Sequence, residues 1–118
     1  MPQECRDRDI TITPHQGRVR VRFAGAVIAE TDSALDLKEA TYPVVHYIPR
    51  DAVDAEILSD SDHHTVCPFK GEASYLTLKK GEETAENAVW YYPEPCPLVD
   101  RIAGHVAFWG DQVQVEAV

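Results

Sequence analysis

The chain has 118 residues, 44% of them apolar, and carries 20 acidic against 11 basic residues for a formal net charge of −9. That length and apolar share suffice for a single domain with its own core and no staple of disulfides or metal. The acidic balance argues against a general nucleic-acid binder, which needs basic charge to displace counterions. No apolar run approaches the roughly 20 residues that cross a bilayer, so no membrane partner is expected either.

The opening Met1-Pro2-Gln3-Glu4 lacks a basic stretch followed by an apolar one. No secretory signal is therefore expected, and a cytoplasmic location is. Residues 1–8 are polar and expected to fray. From Asp9 the apolar period is two: Ile10 and Ile12, then, past a turn at Gln16-Gly17, Val19, Val21 and Phe23 alternating with Arg18, Arg20 and Arg22. The second run predicts a half-buried strand with a basic outer face. Gly25 interrupts it, marking a bend, a bulge or a close backbone approach. Leu35 and Leu37 alternate with Asp36 and Lys38 in another short strand. Val44 to Ile48 is β-branched and aromatic and is closed by Pro43 and Pro49.

Arg50 to Leu58 predicts a turn or two of helix, opened by Pro49 and with Val53, Ile57 and Leu58 on one face. Ser59 to Asp62 reads as a loop, Glu72 to Leu78 as a strand ended at Lys80-Gly81, and Ala88 to Tyr92 as an aromatic strand stopped by prolines. Pro97 to Ala103 suits a short helix, with proline near its first turn and Gly104 past its end. Val106–Trp109 and Val113–Val115 read as a hairpin across Gly110-Asp111. The expected fold class is mostly β: one domain over residues 1–118, an antiparallel sandwich or small barrel of about eight short strands with one or two short helices. The outer edges of an open sandwich need charge or proline, which makes the Arg18–Arg22 and Val44–Ile48 strands the edge candidates.

Cys5, Cys67 and Cys96 are odd in number, widely spaced and form no C-x-x-C pair. In a cytoplasmic chain this predicts no disulfide and no zinc ribbon. Cys67 is the best nucleophile candidate, because Lys70, His63 and His64 stand near it in sequence and His46 or His105 can serve as a base if the fold brings one close. Its bland alternative is a small core residue beside Val66 and Phe69. Zinc accepts sets such as Cys67 and Cys96 with His64, His46 or His105, but these spacings have no pattern; no metal and no cofactor is expected. The arginine stripe can clasp an anion, or pair with acids such as Glu30 or Asp36 as a solvated face, the expected outcome. Phe108 and Trp109 are adjacent and so face opposite sides of a strand, one toward the core and one toward solvent or a second copy.

The segment Cys67-Pro68-Phe69-Lys70-Gly71-x-Ala73-x-Tyr75 is the densest in chemistry. It resembles the signature of domain-of-unknown-function family 427. Glu86-Asn87-x-x-Trp90-x-Tyr92-Pro93, Gly104-His105-Val106-Ala107-Phe108, and Tyr42-Pro43-Val44 through Tyr47-Ile48-Pro49 resemble it too, over a span from Val19 to Val115. The resemblance implies a small, mostly β domain with no established activity. It also carries a nucleotidyltransferase-like label that the residues support little. That chemistry needs a Gly-Ser turn and clustered carboxylates for two metals, whereas Asp7/Asp9 and Asp60/Asp62 follow no such turn. The leading expectation is a small-molecule (metabolite) site of aromatic and polar side chains at Tyr47, Lys70, Tyr75 and Trp90. The alternatives are an enzyme with a Cys67 nucleophile, and a protein-interaction module with an apolar edge at Trp109, for which a homo-oligomer is one form.

Overall fold

Side chains on a strand alternate between its two sides, and the structure, a computed structural model that describes residues 5–117, turns the alternating runs into strands. The described residues form β1 (Ile10–Pro14), β2 (Val19–Phe23), β3 (Ala26–Thr31), β4 (Leu35–Glu39) and β5 (Val45–Pro49). After two short 3₁₀ turns come β6 (Leu58–Cys67), β7 (Gly71–Lys80) and β8 (Glu83–Tyr91), a third 3₁₀ segment at Pro97–Ile102, β9 (His105–Phe108) and β10 (Gln114–Ala117). Seven strands pair in the order β1-β4-β5-β9-β8-β7-β6, and three in the order β10-β2-β3. Every pairing is antiparallel. Among the described residues no helix is long and apolar enough to cross a membrane.

The large sheet is buried on both faces. Ile48, Leu76, Leu78, Val89, Val106 and Phe108 point one way and pack with Val19, Val21, Phe23 and Ile28 of the small sheet. Their chain neighbours Tyr47, Tyr75, Trp90 and Ala107 point the other way and pack with Val99 and Ile102 of the third 3₁₀ segment and with Cys96. This explains why β7 is buried without a break from Ala73 to Leu78, Ser74 and Thr77 included, as in a strand covered on both sides. The small sheet is covered on one face only. Its outer face carries the arginine stripe, paired as Arg18–Asp32, Arg20–Glu30 and Arg22–Glu116. Asp36, offered above as a partner for that stripe, lies on β4 and binds two histidines instead.

Several expectations are corrected. Residues 59–62 continue β6 rather than looping; they are polar because β6 is the outermost strand, so main-chain pairing with β7 holds it and side-chain burial contributes little. The helix over Arg50–Leu58 breaks into 3₁₀ turns at Arg50–Ala52 and Ala55–Ile57, because Val53 between them bridges to Ala29 of β3. β9 and β10 form no hairpin: β9 joins the large sheet and β10 pairs with β2 in the small one. The two proposed edge strands are interior, β5 between β4 and β9 and β2 between β10 and β3. Gly25 (φ 76°) and Ala24 (φ 52°) form the tight turn from β2 to β3, both in the left-handed region that such hairpin turns require.

The expectation of a frayed start covered residues 1–8. Residues 1–4 lie outside the described residues. Residues 5–8 are held: Cys5 forms a disulfide with Cys96, Arg6 N–H donates to Pro68 O (2.7 Å), and Arg8 pairs with Glu39. The disulfide overturns the expectation of none, which rested on a cytoplasmic setting. Spacing along the chain carried no sign of it, because 91 residues separate the two cysteines.

Candidate functional site

β5 and β9 share only two rungs, Ile48↔Val106 and Pro49↔His105. Beyond them β5 stays with β4, through Leu35↔Tyr47, Asp36↔His46 and Leu37↔Val45, while β9 stays with β8 through Trp90↔Ala107 and Val89↔Phe108. The sheet therefore splays, and a cavity of about 220 Å³ lies in the opening. Its walls are Leu37, Val45, Tyr47, Tyr75, Trp90, Tyr92 and Trp109, with Tyr42 and Pro43 at one end and Lys70 and Glu39 as its charged groups. It adjoins a shallower apolar trough of about 760 Å³ that reaches Arg8, Val44, His46, Cys67, Phe69 and Phe108.

All four residues expected at the ligand site line this cavity. Tyr47, 1% exposed, accepts a hydrogen bond from Trp90 Nε1 at 3.3 Å. Tyr75 and Thr65 share a hydroxyl–hydroxyl bond of 2.9 Å. Trp90 stacks at a tilt on Trp109, centroids 4.9 Å apart. Lys70 donates to Glu39 Oε1 and lies 3.8 Å from Cys67 Sγ. Both partners of the Lys70–Glu39 pair are shielded, at 11% and 15% side-chain exposure. Arg8 closes the same corner: its Nε lies 3.2 Å from Glu39 Oε2, and its guanidinium sits over the Phe69 ring at 4.7 Å and the Tyr42 ring at 5.7 Å.

Lys70 stands in the β6–β7 turn, which is clamped from both sides. Arg6 N–H donates to Pro68 O, and Cys96 N–H donates to Lys70 O at 2.8 Å. The Cys5–Cys96 bond joins the two clamping segments to each other. The lysine's backbone is thus fixed by main-chain bonds, a rigid mount for a polar group in a binding site.

Two phenols keep their protons here. Burial, with Cys67, Glu39 and Tyr75 adding to it, pushes the Tyr47 hydroxyl up to about 12 against the opposing bond from Trp90. Burial above all also raises Tyr92, whose hydroxyl makes no hydrogen bond with the described residues. Both remain donors at neutral pH, so the cavity is apolar in its walls and presents hydrogen-bond donors.

The other expected chemistry does not assemble. Cys67 is half-buried and hydrogen-bonds no histidine among the described residues. His105 Nδ1 binds Ala103 O, His64 Nδ1 binds Ser74 Oγ, and His46 Nδ1 binds Asp36 Oδ1. The cysteine–histidine zinc sets fail as well, since Cys96 is consumed by the disulfide. Asp36 instead receives His15 and His46; burial would raise its carboxyl, and the two imidazole hydrogen bonds outweigh that and hold it below the usual range.

Residue reasoning did not place Glu39 or Trp109 in the wall or Arg8 in the adjoining trough, and left Tyr92 in the aromatic strand that bears Trp90. Glu39 ends a short amphipathic strand and Arg8 stands in a polar lead segment, so neither has a local signal. The adjacent Phe108 and Trp109 did carry one: they face opposite sides as expected, at 7% and 45% exposure.

The chain belongs to the family described as a domain of unknown function (DUF427), whose model matches residues 11–118. No curated protein matches it.

Proposed function

We propose that this DUF427 domain binds a small planar metabolite bearing one anionic group, in the aromatic cavity at the splay of β5 and β9. The observation that carries this reading is the set of donors on apolar walls: the Lys70 ammonium and the raised Tyr47 and Tyr92 phenols around one small space. Flat rings on the walls favour a flat occupant. The volume is below the roughly 300–1,000 Å³ of sites for drug-sized ligands, which sets the occupant near one ring in size. At formal charge, Arg8 and Lys70 against Glu39 give two minus one, a local +1 within an acidic protein. That local charge selects an anion.

A thermal-shift screen of dialysed protein against single-ring carboxylates and phosphates tests it. At about a hundred times its dissociation constant a true ligand adds roughly 2.7 kcal/mol, about ten degrees for a chain this size. The shift should disappear in Lys70→Gln and shrink in Trp90→Phe. Silence across the library, or shifts unchanged in both variants, would end the reading.

A second reading rests on the trough. Tyr42, Val44 and Trp109 are 59%, 44% and 45% exposed and all line it, which suits contact with a second copy of the chain. Light scattering across concentration separates the two: a dimer lost in Trp109→Ser favours contact, a monomer throughout favours the ligand. The enzyme reading retains only the Lys70 ammonium beside Cys67. It requires Cys67 to alkylate faster in the folded chain than in unfolded protein at neutral pH.

A further inference from the structure

On the side of β4 and β5 that faces away from the aromatic cavity, a side chain from each of these strands meets a third from the residue just past β1. Asp36 stands in the middle, on β4. Its cross-strand partners are Thr13 on β1 and His46 on β5. His15, two residues past Thr13, falls on Thr13's side of the chain. Its backbone is pinned there by donation of its N–H to Ala34 O at 2.9 Å.

Both imidazoles turn the same nitrogen inward. His15 Nδ1 lies 2.9 Å from Asp36 Oδ2 and 3.1 Å from Oδ1; His46 Nδ1 lies 2.6 Å from Oδ1. The rings meet edge to face with centroids 5.0 Å apart. One ligand atom from each residue falls within 4.8 Å of the others. The side chains are 12%, 24% and 22% exposed for His15, Asp36 and His46, shielded and yet open to solvent on one side.

We propose that His15, Asp36 and His46 form a binding site for a first-row divalent transition cation, with zinc as the representative ion. Two imidazole nitrogens and one carboxylate oxygen are ligands such ions accept. A tetrahedral zinc, with bonds of about 2.0–2.2 Å, holds its ligand atoms about 3.3 Å apart. Around Asp36 Oδ1 the nitrogens of His15 and His46 lie at 3.1 and 2.6 Å, and the three ligand atoms all fall within 4.8 Å of one another, so modest side-chain adjustment reaches that spacing. Binding through Nδ1 requires each neutral imidazole to carry its proton on Nε2 instead of on the nitrogen that now faces Asp36. Two neutral imidazoles and one carboxylate leave the bound ion a net +1 and at least one open position, fit for water or an anionic oxygen. The set contains no sulfur, and so differs from the cysteine–histidine sets that the sequence offered.

The competing account is a purely structural network in which Asp36 only accepts two hydrogen bonds. Titration of the untagged full chain with zinc chloride separates them, read by calorimetry and by the imidazole nitrogen resonances of the same sample. The expected result is one saturable equivalent, with the nitrogens of His15 and His46 shifting together while those of His63, His64 and His105 stay in place. His46→Gln and Asp36→Asn should each weaken binding at least about tenfold, no less than loss of an outer-shell partner does. Cobalt in place of zinc should show visible absorption without a sulfur-to-metal charge-transfer band. Absence of saturable binding, or shifts centred on His63 and His64, would overturn the proposal. The nitrogen resonances of the unaltered chain decide the matter even if a variant fails to fold.

Discussion

One three-rung ladder between β4 and β5 serves two different surfaces. On one side Leu37, Val45 and Tyr47 wall the aromatic cavity; on the other Asp36 and His46 meet His15. The first side is held by packing, where Leu37 and Tyr47 are almost fully buried. The second is held by charge-assisted hydrogen bonds near solvent. The comparison teaches that two-residue alternation lets one short strand pair carry two independent chemistries, one sensitive to volume and the other to protons and ions.

The sharpest way to break that comparison is volume. Leu37→Ala should cost about 2–5 kcal/mol in urea denaturation, as large-to-small changes in a core do. His46→Gln, which keeps a donor for Asp36, should cost less than half as much. Equal costs would mean that the polar side is as tightly packed as the apolar one.

The disulfide belongs to the aromatic side, since Cys96 packs in that core. Cys5→Ser should destabilise by about 2–4 kcal/mol, and should loosen Lys70, read as faster amide exchange in the β6–β7 turn. The His15–Asp36–His46 side should show no change in exchange.

Alkali acts next, and again on the aromatic side. The Tyr47 value in the folded chain, about 12, lies above the roughly 10 of an unfolded tyrosine. Its contribution is therefore complete below about pH 10 and is lost as pH rises toward 12, about 3 kcal/mol in all. Tyr47→Phe should flatten that slope in denaturation series across pH 9–12, leaving what Tyr92 adds. The smallest effect is expected on the small sheet, where Arg18→Gln removes an exposed pair with Asp32. The denaturation midpoint should hardly move.

Much of the fold was legible because burial on one face or two leaves a period. β2 announces itself this way, by strict alternation. β6 did not, since an outer strand with polar side chains looks like a loop until its partner is known. The four cavity residues were legible by type: aromatics at strand positions and a lysine in a tight turn. Glu39, Arg8 and the His15–Asp36–His46 cluster were not. The cluster's members stand 21 and 10 residues apart, and only the order β1-β4-β5 makes them neighbours. Strand order comes from long-range pairing, which no local window contains.

The splay between β5 and β9 has one more consequence. A sheet that parts in its middle has four margins instead of two, and the inner pair faces the cavity. Among the described residues β5 and β9 share no rung past Ile48 and Val106, and main-chain groups that no strand pairs need water or another partner. An occupant of the opening must replace that hydration as well as fit between the rings. A purely greasy guest would strand those amides and carbonyls. A guest with a polar rim would complete them.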